Sequence, residues 1–174
     1  MRRLQFYTVG AFLLAATPLM AERAFGLATS TGYTCLKQGQ RIHGGYGRLD
    51  GHYYAAEAIR LNAGAALSDF RGKGRVERLV SGRVGVGYAL DYFHYVPWLS
   101  AQVIVHRAGQ TSVLDVSPVN FGVEFGVDRL LDRHWAVGLT SQLASLGGSE
   151  PFPSITQVGL QVTYRFENGD PFEP

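Results

Sequence analysis

The chain has a single cysteine, Cys35, so no disulfide can close within it and no intramolecular bridge holds the fold. Lysine is almost absent, at Lys37 and Lys73 alone. Charged residues are 17% of the chain and the formal net charge is +2, too little positive charge for a nucleic-acid-binding surface. No apolar run approaches the ~20 residues that a membrane-spanning helix needs. Nor does any stretch sustain a 3.6-residue apolar period, which excludes a helical bundle. His43, His52, His94 and His134 are scattered without metal-ligand spacing, and no motif for a cofactor is present.

Glycine, by contrast, is abundant at 22 residues, and aromatics reach 12%. That mixture suits strands and turns, since glycine inside a helix costs about 1 kcal/mol against alanine. At the start, Arg2 and Arg3 precede an apolar stretch that runs from Val9 through Ala16 and ends at Pro18, Leu19, Met20 and Ala21. This order is that of a secretory leader, with cleavage expected after Ala21 and Ala24 as the alternative. Residues 22–166 then form the body, and 167–174 a short tail expected in the periplasm.

The body alternates with period two. In 157–166, Val158, Leu160, Val162, Tyr164 and Phe166 share one face, and Gln157, Gly159, Gln161, Thr163 and Arg165 the other. The same pattern recurs in 118–128, 135–144, 83–92 and 58–68, and less cleanly in 98–106, where Ile104 sits with Ser100, Gln102 and His106. Two weaker strands are expected near 27–36 and 41–49, where Gly and Thr dilute the pattern. Eight strands would place both chain ends on one side of a closed barrel. Residues 95–97 and 129–133 read as short periplasmic turns, and 69–82, 107–117 and 145–155 as longer outward loops.

A soluble barrel also alternates, with its apolar face turned inward. Here the apolar face of the six clear strands carries no charge. The other face holds Arg60, Arg83, Asp91, Glu124, Asp128 and Arg165 among glycines and amides. A water-facing surface would be rich in Lys and Glu, so the polar face is read as the lumen. Tyr92, Phe93, Tyr95 and Trp98 cluster at one connector and Trp135 follows another, as rings do at a membrane boundary. The expected fold is an all-β, eight-stranded antiparallel up-and-down transmembrane barrel.

The last strand, from Val158 to Phe166, with its alternating apolar residues and aromatic end, resembles the small outer-membrane β-barrel family that includes the OmpA transmembrane domain and OmpX. The strand-turn-strand from Phe121 to Leu143 carries the same likeness, which covers roughly residues 53–166. One departure is that Glu167 to Pro174 follows the aromatic that commonly ends the family's chains. The resemblance implies residence in the outer membrane, with its lipid and lipopolysaccharide as surroundings and the barrel assembly machinery as a partner in biogenesis.

The six inward charges, three of each sign, are expected to pair inside a plugged lumen, which favours a structural or surface-interaction role over a pore. Arg71, Lys73, Arg75 and Arg78, facing Asp69 and Glu77 in one loop, form a candidate contact for lipopolysaccharide phosphates. The competing classes are a lipid A-modifying enzyme and a soluble lipocalin-like binder. For the enzyme, His106, Ser100, Ser117 and Glu124 supply residue types without a recognisable spacing. The lipocalin's Gly-x-Trp near the first strand is missing. No catalytic residues are therefore assigned.

Overall fold

The computed structural model describes residues 25–38, 40–56, 58–72, 75–90, 94–108, 119–146 and 153–166. These form eight strands: β1 (Phe25–Gln38), β2 (Gln40–Tyr54), β3 (Ile59–Gly72), β4 (Arg75–Ala89), β5 (Tyr95–Ala108), β6 (Val119–Leu130), β7 (Trp135–Ser145) and β8 (Ser154–Phe166). Each pairs antiparallel with its sequence neighbour, and β1 pairs with β8 to close the barrel. No helix occurs among the described residues. Closure leaves no free sheet edge, so every strand's backbone groups find partners within the wall. The stretches expected to be leader and tail lie outside the described residues.

Strand faces follow from the alternation. In β6, Phe121, Val123, Phe125 and Val127 point out, while Gly122, Glu124, Gly126 and Asp128 point in. Phe121, Phe125, Leu139 and Leu160 leave 59 to 70% of their surface uncovered, whereas Glu124 and Asp128 are buried. An apolar exterior around a charged interior inverts the arrangement of a water-soluble protein, and hydrocarbon is the solvent that suits it.

At one end of the barrel, the end opposite the chain termini, this polarity reverses. Leu36, Ile42, Phe70, Leu79, Leu146 and Ile155 pack together inside. Their outward neighbours are Lys37, Arg41, His43, Asp69, Arg71 and Arg78. The strands therefore extend beyond the lipid belt as a short segment with a greasy core and a wet surface.

Several boundaries differ from the sequence reading. Residues 69–82 are not a loop: β3 and β4 stay paired from Asp69↔Arg78 to Gly72↔Arg75. Residues 95–97 open β5 and are not a turn, because Tyr95, Val96 and Pro97 pair with Arg129, Asp128 and Val127. Pairing of Leu130 with Ala136 carries β6 one residue further and shortens the next turn to residues 131–134. β4 ends at Ala89, before Asp91. Trp98 does not face lipid: it shares the inward parity of Ser100 and Gln102 and is buried. Tyr92 and Phe93 lie outside the described residues.

Tyr95 does face outward, as does Tyr88, and a further group of outward aromatics lies along the seam that closes the barrel. Phe25 and Phe166 rings lie 5.6 Å apart, Tyr164 and Phe166 4.8 Å, and Trp135 and Tyr164 4.9 Å in an edge-on contact. All stand at the end that holds the chain termini, the level at which amphipathic rings meet headgroups.

The wall is close around its contents. A Cβ on the inward-facing Gly32 would come within 2.1 Å of the Val158 carbonyl oxygen, and one on Gly44 within 1.9 Å of that of Asp69. At these positions only glycine lets neighbouring backbones approach as they do.

Candidate functional site

The middle of the lumen is filled by four charges from three strands. Arg48 and Asp50 come from β2, Arg83 from β4 and Glu124 from β6. Arg48 Nε lies 2.7 Å from Asp50 and its Nη1 2.6 Å from Glu124. Arg83 donates from Nε to Asp50 at 2.8 Å, from Nη2 to the same carboxylate, and lies 3.2 Å from Glu124 through Nη1. Each cation thus touches both anions, and the four close a ring of alternating sign. All four side chains are at most 3% exposed.

The ring is held by uncharged neighbours. Thr140 donates to Glu124 at 2.6 Å, and Gln102 donates to the same carboxylate. Arg83 donates to Gln142 Oε1 at 3.1 Å, and Gln142 donates to Gln102 at 3.3 Å. Buried ions lose hydration worth several kcal/mol each, so full pairing with added hydrogen bonds is what makes such a cluster tolerable.

Below it, toward the chain termini, a second set of charges is arranged differently. Arg60 lies with its guanidinium 4.2 Å from the centre of the Trp98 ring, and its Nη2 is 3.3 Å from His52 Nε2. Gln161 accepts from Arg48 at 3.2 Å and donates to Asp128 at 3.3 Å, bridging the two levels. Arg165, half-buried at the mouth, sits with its guanidinium 5.9 Å from the Tyr54 ring.

Of the six lumen charges read from the sequence, Arg83 and Glu124 meet in the ring. Arg60 and Asp128 are buried one level down, Arg165 reaches the mouth, and Asp91 lies outside the described residues. The principal partners of Arg83 and Glu124, Asp50 and Arg48, are not among the residues that the alternation of the clear strands points to. Their signal was present: Tyr46, Arg48, Asp50 and His52 recur every second residue. The opposite face of β2, however, offers Gly45, Gly47 and Gly51 where an apolar row was sought.

The candidate residues for lipopolysaccharide contact lie on the β3–β4 hairpin. Arg71 and Arg78 are exposed on its outer face, Arg75 opens β4, and Lys73 is outside the described residues. Arg78 Nε donates to Asp69 at 2.8 Å, which holds the Asp69 carboxyl below the usual carboxylate range.

The residue types considered for catalysis do not converge. His106 Nδ1 is bonded to Ser81 at 2.7 Å, Ser100 accepts from Asn62 at 2.7 Å, and Glu124 is committed to the ring. Ser117 lies outside the described residues. The other ring nitrogen of His106 has no partner among the described residues, so no carboxylate orients that imidazole. No group of three metal-ligating side chains occurs among the described residues either.

Neither family models nor curated proteins give a match to the sequence. Solved structures do. Neisserial surface protein A superposes with a TM-score of 0.69 at 14% identity, over 82% of this chain and 97% of that one. The fold is that of the small outer-membrane β-barrels. Ail, the attachment invasion locus protein of Yersinia pestis, matches with a TM-score of 0.55 at 10% identity, covering 84% of this chain and all of the other. The outer membrane enzyme PagL matches at 0.53 and 19% identity, over 79% of this chain and 97% of its own. Barrels with different roles thus share this wall, and the fold by itself does not choose among them.

Proposed function

We propose that the chain is an integral outer-membrane barrel with a sealed lumen, acting in structure or surface contact and not as a pore or an enzyme. In this reading the leader at 1–21 directs export, the barrel assembly machinery inserts the mature chain, and the outer surface is solvated by membrane lipid. The observation that carries it is the ring of Arg48, Asp50, Arg83 and Glu124 set across the lumen inside an apolar exterior. Eight strands enclose a space that side chains nearly fill. The apolar cluster around Phe70 closes the same channel a second time.

Purified protein in planar bilayers is expected to show no steady conductance steps. Large, regular steps from the unaltered barrel would replace this reading with a pore. Separation of cell envelopes checks the location independently: the chain should sediment with the outer membrane and shift in gel mobility on boiling.

A further inference from the structure

Most glycines on the inner wall are required by the backbone behind them, but those on the outer face of β2 are not. A Cβ added at Gly47 would meet nothing within 4 Å, and at Gly45 only the Gly32 carbonyl oxygen at 3.7 Å. Glycine weakens a strand, and where packing does not demand it, close approach of another molecule is a reason for it. Here the two glycines floor an open groove of about 490 Å³. Thr31 of β1 and Leu67 of β3 form its sides, and Asp69 and Arg71 stand at its upper end. The Thr31 hydroxyl is turned back to the Tyr46 carbonyl at 3.0 Å, so it adds no free donor.

The depth of the groove follows from the strand. Tyr53 pairs with Phe25 at the aromatic level near the chain termini. With a rise of ~3.3 Å per residue and a tilt of ~40°, Gly47 lies roughly 15 Å above that level and His43 roughly 25 Å, the height of the apolar band. The groove therefore spans the far leaflet, from mid-bilayer to headgroups.

Its rim is cationic. Above the belt, Lys37, Arg41, Arg71 and Arg78 point outward from β1 to β4, and Asp69 is the one outward carboxylate among the described residues of these strands. Arg78 occupies Asp69, while Arg71 has no carboxylate within 4 Å among the described residues.

We propose that this groove seats an acyl chain of a phosphorylated glycolipid of the outer leaflet, the chemistry of lipopolysaccharide, with Arg71 binding a headgroup phosphate. The proposal rests on the outer-membrane reading above. Guanidinium matches phosphate geometry in a bidentate way, and below it the glycine backbone, clear of side chains and flanked by Leu67, leaves room for a hydrocarbon chain. A second copy of the barrel fits less well. A twofold axis along the membrane normal would set the same cationic rims against each other at equal height.

The test is binding of purified lipopolysaccharide to the refolded full-length barrel in micelles, followed by native mass spectrometry. Gly47→Leu fills the floor, and Arg71→Gln removes the charge from an exposed site without touching the lumen. Each is expected to weaken binding by about tenfold, Arg71→Gln through the loss of one charge-assisted hydrogen bond and Gly47→Leu by occupying the seat of the chain. Gly82→Leu, at an outward glycine with equal room but outside the groove, is expected to bind as the unaltered protein does. With dephosphorylated lipopolysaccharide, the unaltered barrel should fall to the level of Arg71→Gln.

Unchanged binding by both groove variants would overturn the proposal, as would equal affinity for the dephosphorylated lipid. So would a dimer that Gly47→Leu dissociates while lipid binding persists. A chain found soluble in the envelope fractionation would defeat the outer-membrane reading itself. A heat-modifiable outer-membrane barrel indifferent to these changes would defeat the groove alone.

Discussion

The middle of the lumen and its end away from the termini are occupied by opposite chemistry. In the middle, Arg48, Asp50, Arg83 and Glu124 satisfy one another, and each member depends on the others for its solvation. At the end, Leu36, Phe70, Leu79, Leu146 and Ile155 fill space with side chains that need no partner. A charged plug requires particular neighbours, whereas an apolar plug requires volume. The first should be brittle to single changes and forgiving of matched ones, and the second should respond to size alone.

The largest expected effect is therefore on the ring. Arg83→Leu leaves Asp50 and Glu124 sharing one guanidinium and should lower stability by about 3 to 5 kcal/mol. The double change Arg83→Leu with Asp50→Leu leaves the Arg48 and Glu124 pair intact, so it should cost less than the single change. Urea unfolding in lipid vesicles measures both. A double variant less stable than the single one would show that the charges act independently. Gln142→Arg should also be costly, because Gln142 accepts from Arg83 beside the ring and a cation there would face that guanidinium.

Phe70→Leu tests the other plug. Keeping an apolar group of nearly the same bulk should cost under about 1.5 kcal/mol by the same unfolding measurement. A loss equal to that of Arg83→Leu would erase the contrast between the two regions.

The smallest effect extends the comparison to a charge in water. At the turn before β7, Asp132 accepts from the backbone N–H groups of Trp135 and His134, each at 2.7 Å, and these bonds hold its carboxyl below the usual range. A depressed carboxylate contributes stability above its unfolded pKa and loses it as pH falls through its folded value. Asp132→Asn should thus remove a slight decline in stability on acidification below about pH 4. Thermal melts across that range provide the check, and an unchanged pH profile would assign the acid response elsewhere. Unlike Arg83, Asp132 remains hydrated, so its replacement should leave the fold at neutral pH nearly unaffected.

What could be read in advance depended on whether a strand kept one polarity along its length. β6, β7 and β8 do so within the lipid belt, and their faces were legible from Phe121, Leu139 and Leu160 alone. The β3–β4 hairpin does not. At Asp69 and Phe70 the polar residue turns outward and the apolar one inward, because the strands have left the lipid. Alternation with the wrong sign reads as a loop, which is why the sequence points to one at 69–82. β2 was faint for another reason: its outward row is Gly45, Gly47, Leu49 and Gly51, so half of the expected contrast is missing. That faintness concealed Arg48 and Asp50, and with them half of the ring.

The sequence by itself determined the fold class, the lipid-facing row of the clear strands and the inward direction of Arg60, Arg83, Glu124 and Asp128. Each follows from a side-chain period of two, which is local and needs no knowledge of the rest of the chain. Only the tertiary structure decided which charge meets which. Arg48 and Glu124 stand on strands that are not neighbours in the wall, and they touch because closure of β1 on β8 turns all inner faces toward one axis. Distance across a closed barrel depends on register and curvature around the whole circumference, and no segment carries that information alone.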